Sequence, residues 1–434
     1  MVDIDLTGHW IGLLALGVFV LAYVVVIAEE ALHLRKSAPV VIAAGVIWGL
    51  IGLAFVQMGQ PDEASHHAME MIADYGELLL FLLVAITYVN TLEERRAFDV
   101  LRGWLVARQF SYRRLFWLTG VLAFVLSGIL DNLTTSLVIG TVVLSLGKDS
   151  PRFVAITLVS TVVSANAGGA FSPFGDITTL MVWQHGKLSF TQFFDLFVPS
   201  VVNWIVPAVI LYFALPKGAP VAAEERFSAK PGTIGVVVLF ALTILTAILF
   251  RNLLNLPPAL GMMLGLGYLQ VWAWALSMKA GRAKDGEMVL DSFHQMARVE
   301  WDTLLFFFGI IFAVGGLGVL GYLALASDLL YTGLGPTTAN ILIGLLSAIV
   351  DNIPLMFAVL KMDPSLSEGQ WLLITLTCGV GGSILAVGSA AGVALMGQAR
   401  GTYTFMSHLK WSWAIALGYA ASIAVHLWLN ASLF

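Results

Sequence analysis

The stretch Ser127-Gly-Ile-Leu-Asp131-Asn132-Leu-Thr134-Thr135 places an aspartate and an asparagine near the middle of an apolar segment, residues 115–146. A second pair, Asp351-Asn352, occurs in the same setting within residues 335–361. An ionisable side chain in hydrocarbon is costly, so its presence within an apolar segment is a functional hypothesis by default. Because the costly feature occurs once in each half, we expect a duplicated membrane protein with an ionisable group at a matching point in each half.

The composition supports this class of protein. The 434-residue chain is 59% hydrophobic and 11% charged, whereas soluble domains carry roughly 25% charged residues. The net charge of −5 and the lack of a polybasic tail argue against nucleic acid as a partner, and the lipid bilayer is the expected one. The single cysteine, Cys378, excludes an intrachain disulfide and a cysteine-based metal site.

Ten crossing segments and two re-entrant hairpins account for the apolar runs. Each limb of residues 115–146 has about 15 residues, or about 22 Å of helix, which is short of a hydrocarbon core about 30 Å thick. We therefore expect 115–146 and 335–361 to turn back near the midplane. The crossings are predicted at residues 9–30, 38–58, 74–92, 152–184, 192–215, 232–250, 256–278, 301–325, 369–398 and 411–432.

The distribution of basic residues predicts the orientation. With these segments, 22 Lys and Arg residues fall on alternate loops, all on one side except Lys187, Arg251 and Lys361. Basic loops favour the cytoplasm, so both termini are predicted outside, in a multi-pass protein of the inner (plasma) membrane. The first hairpin then enters from the cytoplasm and the second from the exterior.

The two halves align by eye. Ser127 to Asn132 matches Ser347 to Asn352, and Gly168-Gly169 matches Gly381-Gly382. Residues 1–215 and 232–434 are each predicted to contain five transmembrane segments and one hairpin, joined by a cytoplasmic linker at 216–231. Because five is odd, the second half must be inverted. The predicted fold is an all-α polytopic membrane protein of two inverted repeats with broken helices at the midplane, a recurring transporter design.

Oxygen-bearing side chains accompany a predicted helix break in residues 152–184. Glycine and proline interrupt the span there, so backbone groups and half-helix dipoles face the break. The structural breaks are Gly168, Gly169, Pro173 and Gly175 in the first half and Gly381, Gly382 and Gly388 in the second. The candidate cation- and proton-binding residues are Asp131, Asn132, Thr134, Asn166, Ser172, Asp176, Thr178, Asp351, Asn352, Ser383 and Ser389.

A structural interpretation stays open for several of these residues. Asp and Asn also favour turns and helix N-termini, so the pairs at 131–132 and 351–352 are candidates for helix caps. The glycines of the second break are equally candidates for close helix packing. The second break carries no acid, so the predicted site is asymmetric.

Four strings resemble the NhaD-type sodium/proton antiporters of the ion transporter superfamily. They run from Asp131 to Thr135, from Asn166 to Thr179, from Asp351 to Leu355 and from Gly381 to Gly392. The resemblance implies scaffold and transport subdomains, opposed hairpins, a homodimer formed through the scaffold, and elevator-like movement. It also implies exchange of Na⁺ or Li⁺ for H⁺ in salt or alkali tolerance, with no cofactor.

The resulting hypothesis is an antiporter with one site for either Na⁺ or a proton. Asp131 and Asp176, with Asn132 and Asn166, are the predicted Na⁺ ligands, and Asp351 completes the site or forms a second one. Distant dicarboxylate carriers of the superfamily have Ser-Asn-Thr at the hairpin tips, whereas this chain has Asp-Asn. Two further negative charges disfavour an anionic substrate.

Four alternatives remain. A cation-coupled symporter of an organic anion would share the fold, as would an arsenite-type oxyanion permease. A channel is disfavoured by inverted, broken helices. A membrane enzyme would need a nucleophile and base or a histidine-rich metal cluster. The only adjacent histidines, His66-His67, fall in a predicted exterior loop, so we do not expect an enzyme.

Overall fold

The computed structural model describes residues 5–32, 34–108, 110–220, 228–279 and 290–434. Within these ranges the chain is helical and contains no strand. Up to residue 220 the helices are α1 (Trp10–Ile27), α2 (Glu29–Leu32), α3 (Ser37–Gln57), α4 (Pro61–Glu94), α5 (Ala97–Ala107), α6 (Tyr112–Ser127), α7 (Asn132–Leu146), α8 (Pro151–Ala170), α9 (Ile177–Gln184) and α10 (Phe197–Ala214).

The helices after residue 228 complete the fold. Its helices are α11 (Thr233–Leu254), α12 (Pro258–Lys279), α13 (Ser292–Ala297), α14 (Trp301–Val319), α15 (Tyr322–Ser327), α16 (Pro336–Leu346), α17 (Asn352–Met362), α18 (Glu368–Gly381), α19 (Ala390–Gln398), α20 (Phe405–Leu409) and α21 (Ser412–Leu429). Parts of the predicted linker (221–227) and of the segment before α13 (280–289) lie outside the described residues.

Apolar helices long enough to cross a membrane are the main building element. In the described part of the chain nine helices meet this condition, or ten if the bent pair Tyr322–Thr332 and Pro336–Leu346 forms one span. These lengths and compositions make the chain a multi-pass membrane protein. Helices α7 and α17 have only 15 and 11 residues, which is too short to cross a core about 30 Å thick.

Two predicted boundaries are wrong. The third span was predicted to begin at residue 74, but α4 begins at Pro61 and has 34 residues. The proline suits a first helical turn, and His66-His67 therefore lie in a helix rather than in a loop. The span predicted at 301–325 ends at Val319, because Gly321 adopts a left-handed conformation (φ 97°) that breaks the helix before α15.

The helices pack in two groups. One group contains α1, α3, α4, α11, α12 and α14, and the other contains α6 to α10 and α16 to α21. Corresponding helices of the two halves make corresponding contacts. Thus α6 packs on α8 as α16 packs on α18, α1 on α3 as α11 on α12, and α4 on α12 as α14 on α3. The site lies where α7, α9 and α17 approach the first group.

The three basic residues predicted on the less basic side make contacts at one end of the molecule. Lys187 forms an ion pair with Asp363, and Lys361 forms one with Asp74 over 2.7 Å. Arg251 donates to the backbone carbonyl of Gln184, three residues before Lys187. The three basic residues that the sequence placed on the less basic side therefore also lie near one another in the fold.

Candidate functional site

The first helix break is built on close backbone contacts. Helix α8 ends at Ala170 and α9 begins at Ile177. A Cβ at Gly168 would lie 2.2 Å from the carbonyl oxygen of Phe124, and one at Gly175 would lie 2.4 Å from that of Ser127. Only glycine allows this approach to α6. The predicted break therefore occurs in the structure, with Gly169 and Pro173 inside or beside it.

The second break has equivalent geometry. Helix α18 ends at Gly381, where a Cβ would lie 2.0 Å from the carbonyl oxygen of Gly344 in α16. A Cβ at Gly388 would lie 2.6 Å from the carbonyl oxygen of Ala348. Gly382 approaches Gly388 as Gly169 approaches Gly175. The glycines thus have a packing role at both breaks.

Asp176 caps the helix that follows the first break. Its Oδ1 atom accepts a hydrogen bond from the backbone N–H of Thr178 over 3.0 Å. Its Oδ2 atom accepts from the side-chain amide of Asn132 over 2.9 Å and from that of Asn352 over 3.1 Å. Asp176 is only 5% exposed. One buried carboxylate therefore accepts hydrogen bonds from the first residues of both short helices, α7 and α17.

Further amide and hydroxyl contacts extend this arrangement. Asn132 also donates to Oδ1 of Asn166 over 3.0 Å. Asn166 in turn donates to the hydroxyl of Ser383 in the second break over 2.8 Å. We call Asn132, Asn166, Asp176, Asn352 and Ser383 the Asp176 cluster. It joins α7, α17 and both breaks, and it supplies carboxylate, amide and hydroxyl oxygens, the ligand types of hard cations.

The other two acids of the predicted site serve as helix caps. Both carboxylate oxygens of Asp131 accept from Thr134, one from its N–H over 2.8 Å and one from its hydroxyl over 2.6 Å. Asp351 accepts from the N–H of Ile353 over 3.4 Å. The capping interpretation is thus realised at both positions. No group of three His, Cys, Asp or Glu side chains in the described ranges is compact enough to hold a metal ion, so the three acids do not form one tight carboxylate cage.

The remaining predicted residues support the breaks. The hydroxyl of Ser172 accepts from the N–H of Phe174 over 3.3 Å, inside the first break. Ser389 caps α19 by accepting from the N–H of Gly392 over 3.3 Å. It occupies the place that Asp176 has at the first break. The hydroxyl of Thr178 is buried beside Asp176.

A cavity of about 320 Å³ connects the three acids to one end of the molecule. Asp131, Asp176 and Asp351 all line it, so Asp131 lies in the same cavity as Asp176 although it does not contact the Asp176 cluster by hydrogen bonds. The cavity continues to charged residues that belong to the basic end of the chain, namely Lys36, Glu93, Arg298 and Glu300. The three basic residues of the opposite end do not line it.

These charged residues at the mouth were not among the predicted site residues. Glu300 directly precedes the span predicted at residues 301–325. Partial desolvation and the negative charge of Asp131 raise its pKa above the ordinary value. Lys36 interacts electrostatically with Glu300 and Asp351. The sequence did place Lys36 and Glu300 at equivalent span ends on the same side of the membrane. It could not show that they are close in space, because they are 264 positions apart in the chain.

Comparison with known proteins identifies the family. A citrate transporter family model, CitMHS, matches residues 9–379. The chain is 53% identical to the Na(+)/H(+) antiporter NhaD of Alkalimonas amylolytica over 450 residues, which cover 99% of this chain and 93% of that protein. The chain belongs to the NhaD family. Its relationship to NhaD of Halomonas elongata is similar, with 52% identity over 100% of this chain and 91% of that protein.

A plant protein is also similar to this chain. Sodium/proton antiporter 1 of Arabidopsis thaliana is 33% identical over 94% of this chain and 71% of that protein. The names of these three relatives describe antiporters, and none describes an enzyme. The resemblance inferred from the four strings is therefore confirmed at the level of the family.

Proposed function

We propose that this chain is a secondary active Na⁺/H⁺ antiporter, and that Li⁺ can replace Na⁺. The observation that carries the proposal is the buried carboxylate of Asp176, held by Asn132 and Asn352 at the inner end of a cavity. The relatives named as Na(+)/H(+) antiporters support the same activity.

Competition for Asp176 explains obligatory exchange. The carboxylate binds either a proton or a cation, because a protonated carboxyl has lost the charge that attracts Na⁺. When Na⁺ enters, the side-chain oxygens of Asn132 and Asn166, which hydrogen bonds link to each other and to Asp176, and the hydroxyl of Thr178 complete its ligands. Loss of Na⁺ leaves the carboxylate free for a proton, and the cycle reverses on the other side.

Asp131 and Asp351 act alongside this site. Both line the same cavity, where their negative charge raises the local concentration of cations. Asp131 exchanges its contacts with Thr134 for the incoming ion and belongs to the same Na⁺ site, together with Asn132, Asn166 and Asp176. Asp351 forms a second, weaker cation site with Asn352, and Ser383 and Ser389 complete the polar lining of the second break.

Alternating access follows from the two packing groups. The helices of the second group, which include both hairpins and both breaks, move as a block against α3, α4, α12 and α14 in an elevator-like motion. Residues 1–215 and 232–434 form inverted repeats on either side of the 216–231 linker, and the corresponding helix contacts of the two halves support this division. The helices outside the moving block provide the interface of a homodimer.

The membrane orientation completes the proposal. The protein lies in the inner membrane with both termini outside, and the first hairpin enters from the cytoplasm. The cavity mouth lies near Lys36, Glu93, Arg298 and Glu300, at the end that carries most of the basic residues. The described conformation is then open to the cytoplasm.

A cation-coupled symporter of an organic anion is the second candidate, and the citrate transporter family model is the observation in its favour. Three acids in one cavity disfavour it, because an anion entering beside Asp131, Asp176 and Asp351 meets like charges. Uptake of a labelled carboxylic acid driven by a Na⁺ gradient would support the symporter and contradict the exchange scheme.

The direct test uses inside-out vesicles that carry a ΔpH-sensitive dye. We expect Asp176→Asn and Asp131→Asn to abolish Na⁺-dependent dequenching. Asp363→Asn makes the same substitution at the other end of the molecule, where the side chain pairs with Lys187, and it should retain exchange. Unchanged exchange in Asp176→Asn would refute the assignment.

A second measurement tests competition itself. If protons and Na⁺ share one carboxylate, the apparent KM for Na⁺ in the wild type should rise by about tenfold for each pH unit below the pKa of the site, by mass action. An apparent KM that is independent of pH, with only the maximal rate changing, would contradict a shared site.

A further inference from the structure

A second cavity, of about 330 Å³, lies between the first turn of α6 and the last turn of α10. It is lined by Arg113, Arg114, Trp117, Leu118 and Tyr212, and we call it the α6–α10 groove. We propose that this groove binds the phosphate of an anionic phospholipid. The ligand would be held at the surface of the transmembrane helices, separately from the cavity that contains the Asp176 cluster.

The start of α6 carries two positive side chains that a bound anion would neutralise. Arg113 and Arg114 lie in the first turn of α6, where the helix dipole disfavours cations and favours anions. That turn contains no acidic residue, and Ser111 makes no capping hydrogen bond with its side chain. Neither arginine forms an ion pair with any acid in the described ranges. A bound phosphate would satisfy both guanidinium groups and the free N–H groups of the helix.

Arg113 is already positioned for such a ligand. Its guanidinium lies over the ring of Tyr212, 4.8 Å from the ring centre. Its Nε atom is buried and has no hydrogen-bond partner among the residues that the structure describes. A guanidinium stacked on an aromatic ring is held in one orientation, and its planar set of donors matches the oxygens of a phosphate. The structure thus contains an oriented donor without an acceptor.

The level of the groove in the membrane favours a lipid over a free phosphate ion. Tyr212 lies two residues before the end of α10 at Ala214, and Trp117 packs edge-on against Trp204. Tryptophan and tyrosine concentrate at the headgroup level of a bilayer. Below the groove, Val121 and Val209 are exposed apolar side chains, and at the level of the groove Phe213 is 75% exposed. Acyl chains can follow this surface while the phosphate remains between the arginines.

A third basic residue lies close to the same entrance. The N–H of Tyr112 donates to the carbonyl of Gly218 over 2.9 Å, which brings the segment after α10 to the start of α6. Lys217, the residue before Gly218, is exposed there. Basic pockets between transmembrane helices are recurring sites for anionic headgroups.

The experiment measures lipid retention by the full-length protein. We would purify the wild type from bilayers of phosphatidylcholine with phosphatidylglycerol and count retained phosphatidylglycerol by native mass spectrometry. The double variant R113Q/R114Q should lose at least one bound lipid per chain, and its melting temperature should no longer rise when phosphatidylglycerol is added. R400Q, a change at an exposed arginine elsewhere, should match the wild type in both measurements.

Two further arms separate charge from packing and lipid from free phosphate. R113K/R114K keeps both charges and should retain the lipid, which also checks that the region still folds. Inorganic phosphate at 100-fold molar excess over lipid should not displace phosphatidylglycerol from the wild type. Equal lipid retention in wild type and R113Q/R114Q, equal loss in the Gln and Lys variants, or complete displacement by phosphate would each overturn the proposal.

Discussion

Asn132 and Asn352 donate hydrogen bonds to the same atom, Oδ2 of Asp176, over 2.9 and 3.1 Å. They are the first residues of the two short helices α7 and α17. Residues 220 positions apart in the sequence therefore meet on one oxygen. A substitution of either asparagine should therefore change the hydrogen bond that the other makes with Asp176.

Asn132→Ala and Asn352→Ala should each raise the apparent KM for Na⁺, and their effects should not add. A hydrogen bond to a charged group contributes about 1.5–3 kcal/mol, and residues that share a partner couple by about 0.5–3 kcal/mol. The measurement is a double-mutant cycle on the apparent KM in proteoliposomes. Strict additivity would show that the two amides act on separate sites.

Gly168→Ala should abolish exchange. The added methyl group would lie 2.2 Å from the carbonyl oxygen of Phe124, so α8 must move away from α6. Gly45→Ala in α3 is the matched control, because no heavy atom lies within 4 Å of its added Cβ. Alanine at an exposed helix position stabilises by about 0.5–1 kcal/mol relative to glycine. Comparable transport by the two variants would contradict the packing role of Gly168.

Lys36→Gln should lower the apparent KM for Na⁺ by about two- to fourfold at low ionic strength, because it removes a positive charge from the wall of the cation pathway. The effect should shrink at high salt as screening increases. Lys36→Arg preserves the charge and should behave like the wild type. An increase in KM with Gln would indicate that Lys36 instead holds Asp351 in place for the ion.

Glu300→Gln should stabilise the protein above acidic pH. The pKa of Glu300 is raised in the folded protein from 4.5, so its favourable contribution is present below pH 4.5 and is lost as pH rises through the raised value. Glutamine avoids that loss. The difference in melting temperature between variant and wild type should therefore grow from pH 4.5 upward, to no more than about 2 °C. If the difference in melting temperature instead became smaller as the pH rises, the raised pKa of Glu300 would be contradicted.

Much of the architecture could be predicted from local sequence. Glycine and proline within apolar runs predicted both helix breaks, and the short apolar limbs around Asp131 and Asp351 predicted the short helices α7 and α17. These features depend on nearby residues alone. The start of α4 was missed because Pro61 and the polar residues after it are typical of a loop as well as of a helix that extends beyond the membrane.

The candidate site could be predicted only in part, for a related reason. The sequence indicated that Asn132, Asn166 and Asp176 would lie together, and they do. It did not indicate that Asn352 would complete the hydrogen bonds of Asp176, because that contact joins the two halves. Nor did it indicate that Thr134 would satisfy both oxygens of Asp131, since the choice between a local cap and an ion ligand depends on side-chain geometry.

The two breaks differ in one respect that bears on energy conversion. Asp176 caps α9, whereas Ser389 caps α19 at the equivalent place. The two breaks thus carry one titratable cap between them instead of two. If the paired breaks translocate together, this difference halves the charge that they contribute to each turnover. A protein with an acid at both capping positions, 176 and 389, would keep the same backbone. Its transport rate would depend differently on the membrane voltage.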